Sequence, residues 1–323
     1  MKRVNTVKTK AILLLLLSLV VILSGCNDDK GVTNSDKSDG KIQIFTTVYP
    51  LKDFTEKIGG QYVEVETVYP PGTDEHSFEP SQKEIIQMAE SDLFFYIGHN
   101  LEGFVTKAEP ILKQEGVNLT PLGQKIHIEH EEHYEQDEEH HDHDTDIGHA
   151  DINPHLWLDP MYSLAMAGII KDSLIKEIPD QKEYFEKNYK DLEKQLHELD
   201  DKFKAAVKNS KTNKIIVSHG AYGYWENRYG IEQISVTGLS GSSEPSQKQL
   251  EEIIETAKEN DLQYIIFEQN TSSKLTEIIQ NEIGAKPLRL HNLSVLTEKD
   301  IENDEDYFSL MNQNAETLKT ALR

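Results

Sequence analysis

The chain has 323 residues, a net charge of −24, a hydrophobic fraction of 37 % and a single cysteine. So large a negative charge argues against binding to nucleic acid or to anionic lipid, and suits a protein that concentrates cations around itself. One cysteine excludes an intramolecular disulfide and a zinc site made of cysteines, while the length is sufficient for two domains.

The first 25 residues have the pattern of a bacterial lipoprotein signal peptide. Four basic residues precede an apolar run from Ala11 to Leu23, which is short for a bilayer span and typical of the hydrophobic region of a signal peptide. The run ends in Leu-Ser-Gly-Cys, and small residues before a cysteine resemble a lipobox, in which Cys26 becomes the lipidated first residue. We expect a protein held by this lipid on the extracytoplasmic face of the cell membrane; the alternative is an uncleaved membrane anchor.

An alternation of short strands and amphipathic helices begins at Lys41, after a polar stretch at 26–40 that is typical of a flexible tether. This alternation predicts a mostly parallel sheet flanked by helices, which is the α/β fold class. In the first α/β unit, 41–179, the predicted strands are 42–48, 62–68 and 93–97, and the predicted helices are 51–58, 82–89, 101–113 and 161–178.

A long helix is predicted at 180–209, where apolar residues recur at three- and four-residue steps without an internal proline. At 1.5 Å per residue it would span roughly 45 Å, which is longer than most globular helices, so we expect it to link two domains. In the second unit, 210–323, the predicted strands are 214–217, 233–236, 264–267 and 287–290, and the predicted helices are 222–229, 246–260, 274–283 and 307–322.

A segment rich in histidine and acidic residues interrupts the first unit at 127–149. It holds seven histidines and ten acidic residues without any lysine or arginine, so it predicts a solvated, disordered loop. Imidazoles and carboxylates at this density favour zinc and copper, so we expect a weak, multi-site metal collector; the alternative is a merely solvating acidic loop. Its histidines are His127, His130, His133, His140, His141, His143 and His149.

Three other histidines lie in turns at or near the ends of predicted strands. His76 follows a strand, His155 lies in the stiff turn Asn-Pro-His, and His219 ends an apolar strand. Ligands of open α/β sheets bind beyond the carboxyl ends of the strands. We therefore expect the three imidazoles to converge and to offer zinc three nitrogen ligands at roughly 2.0–2.1 Å, with one position open. The alternative for each histidine alone is a structural or surface role.

The segments around these histidines also resemble a known family. Pro-Gly-Thr-Asp-Glu-His-Ser-Phe-Glu-Pro at 71–80, Asn-Pro-His-Leu-Trp-Leu-Asp-Pro at 153–160 and Ser-His-Gly-Ala-Tyr-Gly-Tyr at 218–224 are similar to the metal-binding lipoproteins of bacterial zinc and manganese ABC importers. The resemblance extends from Lys41 to the C-terminus, and the acidic, His-rich loop resembles that of the zinc branch.

This resemblance implies two α/β lobes joined by one rigid helix, with the metal in the cleft between them. It implies His76 and His155 as ligands from the first lobe and His219 from the second. The manganese branch typically has a glutamate where His219 stands, and a third imidazole in its place favours zinc. The resemblance also implies a cognate ABC permease as partner, and we expect a monomer.

The fourth ligand is open, because the sequence departs from the family's C-terminal acidic motif. The family usually has an acidic residue in a segment like Leu-Asn-Pro-Leu-Glu, and this chain has Leu-His-Asn-Leu-Ser at 290–294. The candidates are water or His291 first, and then Glu75. We expect His99 to have a supporting or structural role and His197 to be solvated. We expect Trp157 and Trp225 to pack beside the ligand-bearing turns.

These observations predict a lipid-anchored receptor that captures Zn²⁺ and delivers it to a membrane permease for high-affinity uptake, without catalytic turnover. The alternatives are a manganese-binding protein of the same family, a three-histidine zinc hydrolase or hydratase, and an added role as a surface adhesin. Three histidines at the reference pKa of about 6.5 predict a steep loss of zinc affinity from pH 7 to pH 5.

Overall fold

The computed structural model describes residues 40–128, 152–240, 245–269 and 273–323. The predicted signal peptide, the lipidation residue Cys26 and nearly all of the tether lie outside the described residues. The same holds for the six loop histidines beyond His127. Within the described ranges, no helix is long and apolar enough to cross a membrane.

The first half of the chain forms a parallel four-stranded sheet. Its strands lie in the order β2-β1-β3-β4, so β1 has a parallel neighbour on each side. The strands are β1 Ile42–Thr46, β2 Val63–Thr67, β3 Leu93–Tyr96 and β4 Asn118–Pro121. All four residues of β3 are buried, as expected for a strand that is covered on both faces.

In the described part of the first half, five α-helices accompany this sheet. They are α1 Tyr49–Gly59, α2 Gln82–Ala89, α3 Val105–Gln114, α4 Leu122–Lys125 and α5 Pro160–Glu177. Helix α2 starts at a capping box between Ser81 and Glu84, and α5 starts where the Asp159 carboxylate accepts from two backbone N–H groups, with a proline in the first turn. These side chains bind backbone groups that would otherwise lack partners, and so fix where each helix begins.

The long helix α6 runs over Lys182–Val207, and its 26 residues give a length of about 39 Å. It buries one apolar face and packs against α1 and α5 of the first half and against the C-terminal helix, α11 Tyr307–Ala321. The buried residues include Phe185, Leu192 and Phe203. The helix therefore contacts elements from both halves of the chain.

The second half repeats the parallel arrangement with strand order β6-β5-β7-β8. Its strands are β5 Lys214–His219, β6 Glu232–Thr237, β7 Tyr264–Glu268 and β8 Lys286–Leu290. The remaining helices are α7 Gly223–Tyr229, α8 Gln247–Glu259, α9 Lys274–Ile283 and α10 Glu298–Glu302. One apolar core extends from the first sheet across α6 to α7 and α11, and a smaller one lies under α8 and α9.

The fold class is confirmed: two parallel-sheet α/β units accompany one long helix. One helix start was predicted four residues early, because α3 begins at Val105. Residues 101–104 form a bend and a turn instead, in which the Val105 backbone N–H donates to the Glu102 carbonyl at 3.1 Å. The domain boundaries at 41–179, 180–209 and 210–323 stay predictions.

Candidate metal centre

The structure brings His76, His155 and His219 together, as the sequence predicts. Their candidate ligand atoms all lie within 4.8 Å of one another. The ring centroids are 5.2 Å apart for His76 and His155, 5.4 Å for His76 and His219, and 4.8 Å for His155 and His219. His219 is the last residue of β5, His76 lies on the segment after β2, and His155 precedes the 3-10 turn that leads into α5.

Asn153 favours the His155 tautomer that leaves Nε2 free to bind a metal. Asn153 Oδ1 accepts a hydrogen bond from the His155 backbone N–H at 3.0 Å and lies 2.7 Å from Nδ1. An amide oxygen only accepts, so Nδ1 carries the proton and Nε2 keeps a free lone pair. This ring is fully buried, and among the described residues its Nε2 has no hydrogen-bond partner.

His76 presents a second buried nitrogen of the same kind. Its Nε2 also lacks a hydrogen-bond partner within the described part of the chain. The turn that carries it is held by Asp74, whose Oδ1 accepts from the His76 backbone N–H at 3.0 Å and whose Oδ2 accepts from Ser77 Oγ at 3.0 Å. Buried polar atoms are nearly always satisfied, so two unpartnered imidazole nitrogens in one cluster indicate a bound cation.

Burial and the neighbouring His219 charge lower the pKa of His76 to about 4. Burial, followed by the charges of His219 and His76, also lowers the pKa of His155. Both rings therefore stay neutral at physiological pH, and zinc binds neutral imidazole.

His219 differs, because both of its ring nitrogens face acceptors. Nδ1 lies 3.1 Å from Glu268 Oε1, and Nε2 lies 2.8 Å from the carbonyl oxygen of Leu239. Burial alone would lower its pKa, but the Glu268 hydrogen bond and charge, with help from the Leu239 carbonyl and Glu75, raise the pKa to about 9. His219 is thus an imidazolium in this structure, and it must lose a proton and one hydrogen bond to bind a metal.

Two buried glutamates flank the histidines. Glu75 Oε1 lies 3.9 Å from His76 Nε2, and burial raises the pKa of Glu75 to about 7. Glu268 holds His219 and also accepts a hydrogen bond from Tyr222 Oη at 3.3 Å. A carboxylate on Nδ1 is the usual partner that orients a metal-binding histidine.

Glu268 is not among the residues predicted from the sequence, although the sequence contains a signal for it. It ends β7, and β7 pairs in parallel with β5, which ends in His219. The same argument about carboxyl ends of strands that selected the histidines also applies to this glutamate.

The other predicted histidines lie outside the three-histidine group. His291 Nε2 lies 3.0 Å from Asp300 Oδ2, and its Nδ1 accepts from the Leu293 backbone N–H at 2.9 Å. Both of its nitrogens therefore have partners. His197 is exposed on α6, as predicted, and His127 is exposed where the described range ends. His99 is half-buried and does not join the group.

The turn that carries His155 is tied to the second half of the chain. Trp225 Nε1 donates to the Leu158 carbonyl at 2.7 Å, and Arg228 forms an ion pair with Asp159. Trp157 Nε1 donates to the Asn292 carbonyl at 2.6 Å. Both tryptophans are fully buried, which confirms their predicted packing role.

Two parallel α/β sheets and three imidazoles brought together in one cluster define a metal-binding protein. The profile of the ZnuA family, described as zinc-uptake complex component A, periplasmic, matches residues 44–321. The chain belongs to this family.

Relatives of known name agree with this assignment. The zinc-binding lipoprotein AdcA of Streptococcus pneumoniae is 35 % identical over 96 % of this chain, and the chain spans 60 % of the length of that relative. The high-affinity zinc uptake system protein ZnuA of Bacillus subtilis is 31 % identical, with 96 % of this chain and 97 % of the relative covered. The crystal structure of the Zn(II)-bound ZnuA-like domain of S. pneumoniae AdcA superposes with a TM-score of 0.72 and 31 % identity, covering 88 % of this chain and 99 % of that one.

Proposed function

We propose that this chain is an extracytoplasmic receptor that binds Zn²⁺ through His76, His155 and His219 and delivers it to the permease of an ABC importer. The observation that carries the proposal is the pair of buried, unpartnered nitrogens on His76 and His155, beside a third imidazole. The relatives' names, which refer to zinc binding and zinc uptake, support the choice of cargo.

The donor set favours zinc over manganese. Three imidazole nitrogens suit a borderline-soft cation, whereas manganese prefers carboxylate, carbonyl and water oxygens. Three protein ligands leave one tetrahedral position for an exchangeable partner. We propose water there, with Glu75 as the nearest protein alternative at 3.9 Å from His76 Nε2. His291 is disfavoured, because it would have to give up both Asp300 and the Leu293 N–H.

The same proposal extends to location and to the His-rich loop. Lipid on Cys26 and the tether at 26–40 would hold the folded part close to the permease, as a monomer at the membrane surface. The many imidazoles and carboxylates from His127 to His149 would offer zinc several weak sites nearby. The chain is a binding protein and not an enzyme, as its family is a component of an uptake complex.

Competition titration against chelators of known affinity tests the metal preference. Zinc should be held at least about a hundredfold more tightly than manganese, because first-row affinities rise strongly from manganese to zinc at nitrogen sites. Equal affinities, or a preference for manganese, would overturn the proposal.

A further inference from the structure

Asn292 contacts a residue beside each of the three candidate ligands. Its Nδ2 donates to Glu75 Oε1 at 3.3 Å, beside His76, and to Glu268 Oε2 at 3.2 Å, the carboxylate that holds His219. Its carbonyl oxygen accepts from Trp157 Nε1 at 2.6 Å, on the turn that carries His155. A single buried residue thus joins the segments on which the metal site is built.

The orientation of the Asn292 amide is determined by its other partners. Oδ1 accepts from the Ser294 backbone N–H at 3.1 Å, from Ser294 Oγ at 2.9 Å and from Gln269 Nε2 at 3.0 Å. With the oxygen surrounded by donors, the NH₂ group faces the two carboxylates. The carboxamide of Asn292 thus supplies an acceptor for one set of partners and two N–H groups for the other.

The oxygen of Glu75 that accepts from Asn292 is the oxygen that lies nearest His76. Oε1 takes the Asn292 hydrogen bond and is also the atom 3.9 Å from His76 Nε2. A metal bound to that nitrogen at about 2.0–2.1 Å would lie within a small side-chain movement of this oxygen. The Asn292 amide therefore competes with a metal for the same lone pairs.

We propose that Asn292 is a positioning residue that keeps the Glu75 carboxylate out of the metal's coordination sphere and so preserves the preference of the site for zinc over manganese. This inference rests on the proposed zinc-binding function. When Glu75 is restrained, the metal meets three neutral nitrogens from the protein. When Glu75 is released, it adds a hard oxygen ligand, which favours manganese more than zinc.

The test is Asn292→Asp, which keeps the size of the side chain and an acceptor for Ser294 and Gln269. It replaces the shared donor by a negative charge that repels Glu75 and Glu268. The ratio of zinc to manganese affinity, measured by chelator competition on the full chain, should fall by about tenfold or more, the size expected when a partner that supports a metal site is lost. A purely structural role would weaken both metals by one factor and leave the ratio unchanged, which would overturn the inference.

Asn314→Asp is the matched control. Asn314 is also buried in the second half of the chain, at 2 % exposure. Among the described residues, its amide binds the backbone N–H and carbonyl of His291, each at 2.8 Å, and makes a sulfur contact to Met311. The Asn314→Asp substitution introduces the same buried charge without touching Glu75 or Glu268. The ratio of zinc to manganese affinity should therefore stay at the wild-type value. An equal fall in the control would show that a charge anywhere in this region alters selectivity, and would contradict the role of Asn292.

A double-mutant cycle with Glu75→Gln identifies the group through which Asn292 acts. In that background, Asn292→Asp should leave the metal ratio unchanged, because no carboxylate remains to be released. An undiminished effect would overturn the inference.

If circular dichroism shows that Asn292→Asp does not fold, Asn292→Ser removes the same donor without adding charge. The ratio of zinc to manganese affinity of that variant then tests the inference in the same way. The wild-type preference is measured in parallel, so failure of the zinc assignment itself is distinguished from failure of the role of Asn292.

Discussion

At the scale of single residues, we expect the protonation of the three candidate ligands to determine how many protons zinc displaces when it binds. The sequence alone predicts three protons in competition with the metal below pH 7. The structure changes this expectation, because the pKa of His76 falls to about 4 and that of His155 is also lowered, while that of His219 rises to about 9. Only His219 carries a proton that zinc must displace at neutral pH.

Zinc binding at pH 8 should release about one proton per metal ion. The pKa of His219 is raised, so its proton is present below about pH 9, and Glu75 with a pKa of about 7 is already ionised at pH 8. Calorimetry in buffers of different ionisation enthalpy measures this number. Glu268→Gln is the control, because it removes the carboxylate that raises the pKa of His219, and it should reduce the release. Release near zero in the wild type would contradict the imidazolium assignment.

Removing any one of the three imidazoles should almost abolish tight zinc binding. His76→Ala, His155→Ala and His219→Ala each delete one of three strong donors, so each should cost more than the roughly 10- to 100-fold that loss of a supporting partner costs. His197→Ala on the exposed face of α6 should leave the affinity unchanged. A variant that retained wild-type affinity in chelator competition would remove that histidine from the ligand set.

At the scale of secondary-structure elements, the start of α5 connects the site to the second half of the chain. Asp159 is 1 % exposed; it accepts from the backbone N–H groups of Met161 and Tyr162 and pairs with Arg228 of α7. Burial raises the pKa of Asp159, and the hydrogen bond and charge of Arg228 oppose that shift. Asp159 lies four positions after His155, so the ion pair also supports the ligand-bearing turn.

Arg228→Met should destabilise the metal-free fold by about 3 kcal/mol, because it leaves a buried carboxylate without its counter-charge. Urea unfolding followed by circular dichroism measures the change. The matched control is Lys319→Met, which breaks an exposed pair with Glu316 on α11 and should cost less than about 1 kcal/mol. Similar losses in the two variants would show that the Asp159–Arg228 pair behaves as a surface pair.

Local signals decide which elements the sequence can predict. Helices α2 and α9 were predicted to the residue, because Ser81 and Glu84 form a capping box and Gly284 ends α9 in a left-handed conformation. Strand β4 was missed, since Asn118–Pro121 has four residues with a single large apolar side chain and a terminal proline. Its place at the sheet edge follows from pairing with β3, which is a tertiary property.

The same division holds for the site. The three histidines could be predicted, because each lies in a segment of distinctive composition. The expected strand end holds for His219, whereas His76 lies nine residues after β2 and His155 precedes the 3-10 turn before α5. Glu268 could have been selected by its place at the end of β7, beside the strand that ends in His219. Asn292 could not be given a role, because its role depends on which atoms meet across β7, the segment after β8 and the His76 turn. The two hydrogen-bond partners of His291 could not be predicted either, because Asp300 contacts it from a different element, α10.

At the scale of the whole molecule, we propose that the tight site is formed by residues outside the His-rich loop. The three candidate ligands are positioned by β5, by the segment after β2 and by the turn before α5, all within the described residues. Deleting 128–148 should therefore remove several weak zinc sites and leave one tight site, seen by calorimetry as a lower stoichiometry with the tight phase intact. Loss of the tight phase would mean that the loop supplies a ligand.

We propose that one zinc ion is held by the three imidazoles on β5, on the segment after β2 and on the turn before α5. A crystal structure of the zinc-loaded chain, with anomalous scattering recorded at the zinc edge, tests it most directly. We predict one strong anomalous peak at about 2.0–2.1 Å from a ring nitrogen of each of His76, His155 and His219. In that structure Glu75 should remain hydrogen-bonded to Asn292. A peak bound by His291, or one that lacks any of the three histidines, would contradict the account.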